Sequence, residues 1–229
     1  MTIERALAAL PLFQSLSDSE RRVLASASQA RRLQKGEWLF CEGAPAASVW
    51  VLRRGCVHLI KHAPHQGPLM LGVLMPHEAL CGISAFEEGA YSAGAVAATD
   101  TEAIQIPWET FSQALDSNPR FGRRVLAACC ERIRQMADAI ALARAPAVHR
   151  LTHALLRLQE AFGDTLPLTH QELAQMAGIR WETSIRTLSA MRRKGWVATG
   201  RGRITLLTPR KLRALLRDDV SLNGNGRSN

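Results

Sequence analysis

The chain has 229 residues, 47% of them hydrophobic and 21% charged, enough for one large or two modest globular domains. No apolar run reaches the roughly 18–20 residues of a membrane span, the start MTIERALAALPLF is too short and too acid-containing for a secretory signal, and five cysteines without a paired framework fit a reducing compartment, so a cytoplasmic protein with no membrane partner is expected. The formal net charge of +9 is unevenly shared: residues 145–229 hold 14 Lys and Arg against 6 Asp and Glu, the footprint of a polyanion binder whose affinity falls steeply with salt, while residues 1–144 are close to neutral and imply another task.

Ile3 to Leu16 reads as a short amphipathic helix ending near Pro11, and Ser17 with Glu20 three residues on caps a second one. From Arg31 the pattern changes to strand-sized runs separated by glycines: Lys35 to Phe40, Val49 to Leu52, Val57 to Lys61 and Leu69 to Met75. Their even spacing suggests an antiparallel β-roll or jelly roll. Ala93 to Ala98 is a further strand, with Thr101 to Ile106 expected to return as its partner across Thr99-Asp100, and Pro107 ends the sheet.

After Pro119 the period turns helical for about six turns. Gly122, Leu126, Cys129, Ile133, Met136, Ile140 and Ala143 step by 4, 3, 4, 3, 4, 3 residues. A heptad seam of that kind calls for a partner helix, and a second copy of the chain is the natural one; the alternative is that the stripe packs on the β-roll. Ala145-Pro146 then breaks the helix.

Thr169 and Glu172 form a capping box at the start of a helix from about Gln171 to Ala177, in which Leu173, Met176 and Ala177 repeat at helical spacing. Gly178 permits the positive φ of a sharp turn, and a second helix runs from about Trp181 to Lys194. Ser184, Thr187, Leu188 and Met191 fall on one face; Glu182, Ile185, Arg186 and Ser189 fall on the other. Glu182 and Arg186 are one turn apart, so both can reach a major-groove floor, where a carboxylate accepts from cytosine N4 and a guanidinium forks onto guanine, each contact discriminating by roughly 1–3 kcal/mol. The plain alternative is that the two pair with each other on a solvated face, worth only about 0.3–0.5 kcal/mol. The next segment of the chain favours the first reading: Trp196-Val197-Ala198 and Ile204-Thr205-Leu206 flank the tip Thr199 to Arg203, a two-stranded wing whose Arg201 and Arg203 can reach phosphates. The tail from Asp218, DDVSLNGNGRSN, is polar and Gly/Asn-rich and is expected to be disordered.

The order of strands, long helix, hinge and winged helix-turn-helix resembles the Crp/Fnr family of bacterial transcription regulators over nearly the whole chain. The spaced glycines 36, 43, 55, 67 and 82, Phe86-Glu87-Glu88-Gly89, and above all Gln171-Glu172-Leu173 through Gly178 to Glu182-Thr183 and Arg186 carry the resemblance. It implies an α+β chain divided into a sensor β-roll (1–117), a dimerisation helix (118–144), a winged helix-turn-helix domain (145–217) and a disordered tail (218–229). It also implies a homodimer whose partners are double-stranded DNA and RNA polymerase, with Glu182 and Arg186 reading a G·C pair in each half of a palindrome and Thr169 and Gln171 lying near phosphates. Trp181 would also face the bases, where an Arg or a small residue is usual. Leu126, Cys129, Ile133, Met136 and Ile140 would form the dimer interface.

Cofactor chemistry finds little support. Cyclic-nucleotide members carry a Glu just after a Gly and an Arg before a small residue; here Ile83 follows Gly82, and about Tyr91 stands in place of the Arg. A buried phosphate without a cation is strongly disfavoured, so no tight cyclic-AMP binding is expected. Iron–sulfur members carry an N-terminal cysteine cluster, whereas Cys41, Cys56, Cys81, Cys129 and Cys130 lack C-x-x-C spacing, which supports neither a cluster nor a zinc site. Haem-sensing relatives place a ligand close to Cys81, with His58, His62, His65 and His77 nearby in sequence, but lone Cys and His residues on a barrel more often serve packing, and haem is disfavoured. Cys129 reads as a small apolar filler, with a redox-formed Cys129–Cys129 bridge as the sharper alternative. A haem- or thiol-sensing module with weakened or altered DNA readout is the competing class. No P-loop, metal-ligand motif or nucleophile with a plausible base points to an enzyme.

Overall fold

The computed structural model describes residues 2–63, 67–80, 86 and 89–223, which form two compact units, residues 1–137 and 138–229.

The first unit opens with α1 (Ile3–Ala8), a 3₁₀ turn (Pro11–Phe13) and α2 (Asp18–Ala27), the last started by the expected capping box between Ser17 and Glu20. Eight strands come next: β1 (Gln29–Leu33), β2 (Trp38–Phe40), β3 (Ser48–Arg54), β4 (Val57–Ala63), β5 (Gly67–Leu74), β6 (Ala79–Leu80), β7 (Gly94–Ala97) and β8 (Thr101–Pro107). They make two antiparallel four-stranded sheets, ordered β1-β8-β3-β6 and β2-β7-β4-β5. One apolar cluster joins the sheets, with Leu33, Trp50, Leu52 and Ala103 from the first and Leu39, Val57, Leu59, Leu74, Ala95 and Ala97 from the second. Trp108 begins α3 (Trp108–Ser117), and α4 (Pro119–Leu142) starts after Asn118, whose side-chain oxygen accepts from the N–H groups of Arg120 and Phe121.

The expected pairing of Ala93–Ala98 with Thr101–Ile106 does not occur. β7 pairs with β2 and β4, whereas β8 pairs with β1 and β3, so Ala98, Thr99 and Asp100 carry the chain from one sheet to the other. Burial explains the crossing. β3 is buried from Ser48 through Leu52, with Trp50 and Leu52 in the inter-sheet core, while Val49 and Val51 join Ile104 and Ile106 of β8 in a second core under the helices. A sheet covered on both faces needs continuous apolar strands, and β3 and β8 supply them.

That second core is built on Phe13, Phe111 and Phe121, all fully buried, with ring centroids 5.7 Å apart for Phe13–Phe121 and 5.3 Å for Phe111–Phe121. It fixes the first turns of α4 to α1, the 3₁₀ turn and α3. Beside the roll's loops, Glu42 accepts from the His62 backbone N–H and from the Lys61 ammonium, and these bonds lower its carboxyl pKa to about 2.

The second unit contains α5 (Ala147–Phe162), β9 (Thr165–Leu166), α6 (His170–Met176), α7 (Trp181–Arg193), β10 (Val197–Gly200), β11 (Arg203–Leu206) and α8 (Pro209–Asn223). The antiparallel β10–β11 hairpin gains β9 as a third strand, with Ile204 opposite Leu166. The tail expected to be disordered from Asp218 is helical through Asn223: Asp218 to Asn223 contains neither Gly nor Pro, so nothing in it stops α8 before Gly224. Residues 224–229 lie outside the described residues.

Gly55 tests the β3–β4 corner. Its φ is +91°, and an added Cβ would lie 2.6 Å from both the Asp100 carbonyl oxygen and the Thr101 hydroxyl. Gly55→Ala therefore combines left-handed strain with overlap against backbone and is expected to lower stability by more than about 2 kcal/mol in urea denaturation; an unchanged midpoint would contradict this packing.

Candidate nucleic-acid interface

α6 and α7 are joined by a turn that the sequence dictates atom by atom. Thr169 caps α6, its hydroxyl accepting from the Glu172 N–H at 3.2 Å and donating to the Glu172 carboxylate, which in turn accepts from the Thr169 N–H at 2.7 Å. At the other end the Ile179 N–H donates to the Ala174 carbonyl and the Gly178 N–H to that of Gln175, a Schellman closure with Gly178 at φ +59°. The Arg150 guanidinium of α5 donates to the Gly178 carbonyl at 2.8 Å and so pins the turn. α7 ends in the same way, with Gly195 at φ +68° and the Trp196 N–H donating to the Met191 carbonyl.

Burial sets the rotation of α7 about its axis. Leu188 and Met191 are buried, and the buried Ser184 hydroxyl donates to the His170 carbonyl of α6. Leu173, Ala174 and Ala177 of α6 and Leu151, Ala154, Leu155 and Leu158 of α5 are buried in the same unit. The opposite side of α7 is left to solvent: Glu182 and Arg186 are exposed, Trp181 is 52% exposed, and Ile185 and Ser189 are partly so. Among the described residues, no ion pair joins Glu182 to Arg186.

The wing tip consists of Arg201-Gly202 between the paired Gly200 and Arg203, with Gly202 at φ +66°. Arg201 and Arg203 are exposed, and the Arg203 side chain lies over Gly200. Of the expected phosphate contacts on α6, Gln171 is exposed, while the Thr169 hydroxyl already serves the cap. Sequence reading missed three contributors: α5, whose Leu151, Ala154, Leu155 and Leu158 carry a helical-period signal; Arg150, which no local motif marks; and the exposed Arg180 at the N-cap of α7.

On α4, Phe121 and Val125 are buried in the helix-side core of the roll. Leu126, Ile133, Met136 and Ile140 are 64, 61, 42 and 72% exposed. Cys129 sits between these two faces: it is half-buried against the same core, and burial, with Cys130 adding to it, pushes its thiol pKa up. A raised pKa lowers the reactive thiolate fraction at neutral pH. In the roll, Tyr91 is buried and stacked on Phe40 with centroids 3.7 Å apart; its hydroxyl donates to the Ser48 carbonyl and accepts from the Trp50 indole. His58 is buried in β4, and His62 is exposed beside Glu42. Cys81, Gly82, Ile83, Glu87, Glu88 and His65 lie outside the described residues. Among those described, no group of three or more His, Cys, Asp or Glu is placed to hold a metal ion, and no helix is long and apolar enough to cross a membrane.

Residues 30–118 match the cyclic nucleotide-binding domain and residues 149–215 the Crp-like helix-turn-helix domain. The chain belongs to the Crp/Fnr family. It is similar to the cyclic AMP receptor protein of Thermus thermophilus, 29% identical over 85% of this chain and 91% of that one, and to the nitrogen fixation regulation protein FixK of Bradyrhizobium diazoefficiens, 26% identical over 88% and 87%. FixK2 from Bradyrhizobium japonicum shares the fold, with a TM-score of 0.74 at 21% identity over 82% of this chain and 96% of that one. These Crp/Fnr relatives are regulators rather than enzymes, and this chain is a DNA-binding transcription regulator.

The cap gives a direct check on α6. Thr169→Ala removes the hydroxyl bonded to the Glu172 N–H, and thermal unfolding is expected to show a loss of about 1 kcal/mol, largely restored in Thr169→Ser.

Proposed function

We propose that this regulator binds DNA as a homodimer and reads a palindromic site, one half with each α7. The observation that carries the reading is the joint exposure of Glu182 and Arg186 on the side of α7 opposite Ser184, Leu188 and Met191. Arg186 forks onto guanine O6 and N7, and Glu182 accepts from the amino group of cytosine at the same or the neighbouring pair. Trp181 shares that face. Arg201 and Arg203 of the wing, with Gln171 and the N-terminus of α6 at Thr169, contact phosphates and set register without reading sequence. Palindromic readout requires the two recognition helices to stand about one DNA turn, ~34 Å, apart.

The second copy docks through α4. Leu126, Ile133, Met136 and Ile140 recur at heptad spacing and are exposed, and a parallel copy of the same stripe covers them, with Cys129 at the margin as a small apolar filler. RNA polymerase as a further partner rests on the family resemblance alone.

For the sensor half we propose no tight cyclic-AMP binding, whatever the name of the Thermus relative says of that protein. Tyr91, near the place of the phosphate-binding Arg, is neutral and already engaged with Phe40, Ser48 and Trp50. The Lys61 ammonium beside it, donating to the Ser92 carbonyl at 2.6 Å, is already paired with Glu42 at 2.7 Å, so it is not a dedicated counter-charge for a buried cyclic phosphate.

Two experiments test these readings. In electrophoretic shifts with selected and scrambled duplexes, Arg186→Ala is expected to abolish sequence preference, whereas Arg201→Ala weakens binding to all duplexes alike and lowers the salt slope by about 1; retention of preference by Arg186→Ala would refute the base contact. In analytical ultracentrifugation the wild-type protein is expected as a dimer, and Ile133→Glu, which places a charge in the seam, as a monomer. A monomeric wild type would remove the dimer.

A further inference from the structure

The first two turns of α4 carry Arg120, Arg123 and Arg124. All three are exposed, and residues three and four apart on a helix are neighbours, so Arg120 stands beside both of the others and repels them. Cations at a helix N-terminus also oppose its dipole, and the first turn of α4 holds no acid to offset them. Within α4 no acid lies three or four residues from any of the three, and among the described residues none of them is ion-paired. Further along, α4 does pair its charges, Arg134 with Glu131 at 2.6 Å. Folding alone gives no reason to gather three guanidiniums at its start.

The same arginines line a groove with Gln14 and Ser15, and no carboxylate lines it. The Ser15 hydroxyl is shielded from solvent and has no hydrogen-bond partner among the described groups, a condition in which buried polar groups are seldom left. Arg124 donates to the Pro11 carbonyl at 2.8 Å, which holds one guanidinium in place. The N–H groups of Arg120 and Phe121 are taken by the Asn118 side chain, so an anion here would be held by side chains rather than by the helix end. A phosphate suits such a set: its oxygens accept from guanidinium forks two at a time, and its charge cancels the repulsion.

Arg124 also lines a second cavity, of about 280 Å³, walled by Leu12, Leu74, Ala79 and Ala128. Polar side chains in its lining are already engaged: Arg132 with the Val73 carbonyl, Glu78 with the Met75 N–H and Glu131 with Arg134. That volume is near the lower end for small-molecule sites and fits a ring or a short chain. Neither lining includes Tyr91 or its partners Phe40, Ser48 and Trp50.

We propose that the start of α4 is a binding site for an organic phosphate, with the phosphate on Arg120, Arg123, Arg124 and Ser15 and the apolar body in the adjoining cavity. At about 100° per residue, Arg124 and Ala128 stand on the other side of α4 from Leu126, Ile133 and Ile140, so a second copy on that stripe would leave the site open.

Calorimetric titration of the full-length protein at low salt, with phenyl phosphate, inorganic phosphate and phenol as probes, tests the site. Phenyl phosphate is expected to bind about tenfold more tightly than inorganic phosphate, as burial of a ring implies, and phenol not to bind. Arg120→Gln combined with Arg123→Gln should weaken phenyl phosphate binding by more than about tenfold, whereas Arg201→Gln, in the basic wing, should leave it unchanged. Ala128→Leu, which narrows the cavity, should remove the preference for the ring. Without ligand the double variant should melt about 1–3 °C above the wild type, because the repulsion is relieved. A lower melting temperature for that variant, equal binding of the two phosphates, or binding that survives in the double variant overturns the inference.

Discussion

The rotational setting of α7 is the constraint on which the rest depends. A helix of 13 residues presents a new face with every 100° of rotation, and a wrong setting would bury Glu182 or turn Leu188 to water. Ser184, Leu188 and Met191 leave one solution, and the Ser184 hydroxyl, donating to the His170 carbonyl, adds a directional bond to their non-directional burial. The turn enforces the same answer from the other side. With Gly178 left-handed and its carbonyl held by Arg150, the path from α6 into α7 has little freedom. The exposed column of Glu182 and Arg186 is thus a consequence of what its neighbours bury.

The first unit applies the same logic to a sheet. β3 and β8 are covered on both sides, by the opposite sheet and by helices, so alternate residues of one strand belong to different cores. Helices on the outer core tie the roll to the start of α4 through Phe13, Phe111 and Phe121. Val49 and Val51 of β3 share this core with Phe121 and Val125 of α4, and close-packed interiors transmit displacement rather than damp it.

What was legible in the sequence were features with local causes. The capping boxes at Ser17 and Thr169 and the helix-turn-helix with its wing arise from spacing within a few residues, and each is present. The division of α7 into Ser184, Leu188 and Met191 against Glu182 and Arg186 was likewise a matter of period. Features set by distant residues were not legible. That β7 and β8 belong to different sheets depends on which faces other segments cover, and a short connection such as Thr99-Asp100 looks the same in sequence whether it closes a hairpin or crosses a sandwich. β9 is two residues long and exists because Ile204 lies opposite Leu166. Arg150 acts on Gly178 across 28 positions, beyond any local motif. The placement of Cys129 between the helix-side core and the exposed stripe escaped the heptad because a residue's period does not tell which neighbouring segment covers it.

Magnitudes favour the proposed dimer through the apolar stripe of α4. The basic charge of the second unit attracts any duplex, and such binding is sequence-blind. Discrimination must come from base contacts at roughly 1–3 kcal/mol each, so one copy of α7 with two charged readers reaches about 2–6 kcal/mol. Specific DNA binders are typically about 4–10 kcal/mol above their own non-specific level. A single copy falls at or below the lower part of that range, and two copies on a palindrome cover it. In the proposed dimer the exposed Leu126, Ile133, Met136 and Ile140, costly to leave in water, would have a use at a distance from any base: by joining two copies they would supply the second set of readers that the first set requires.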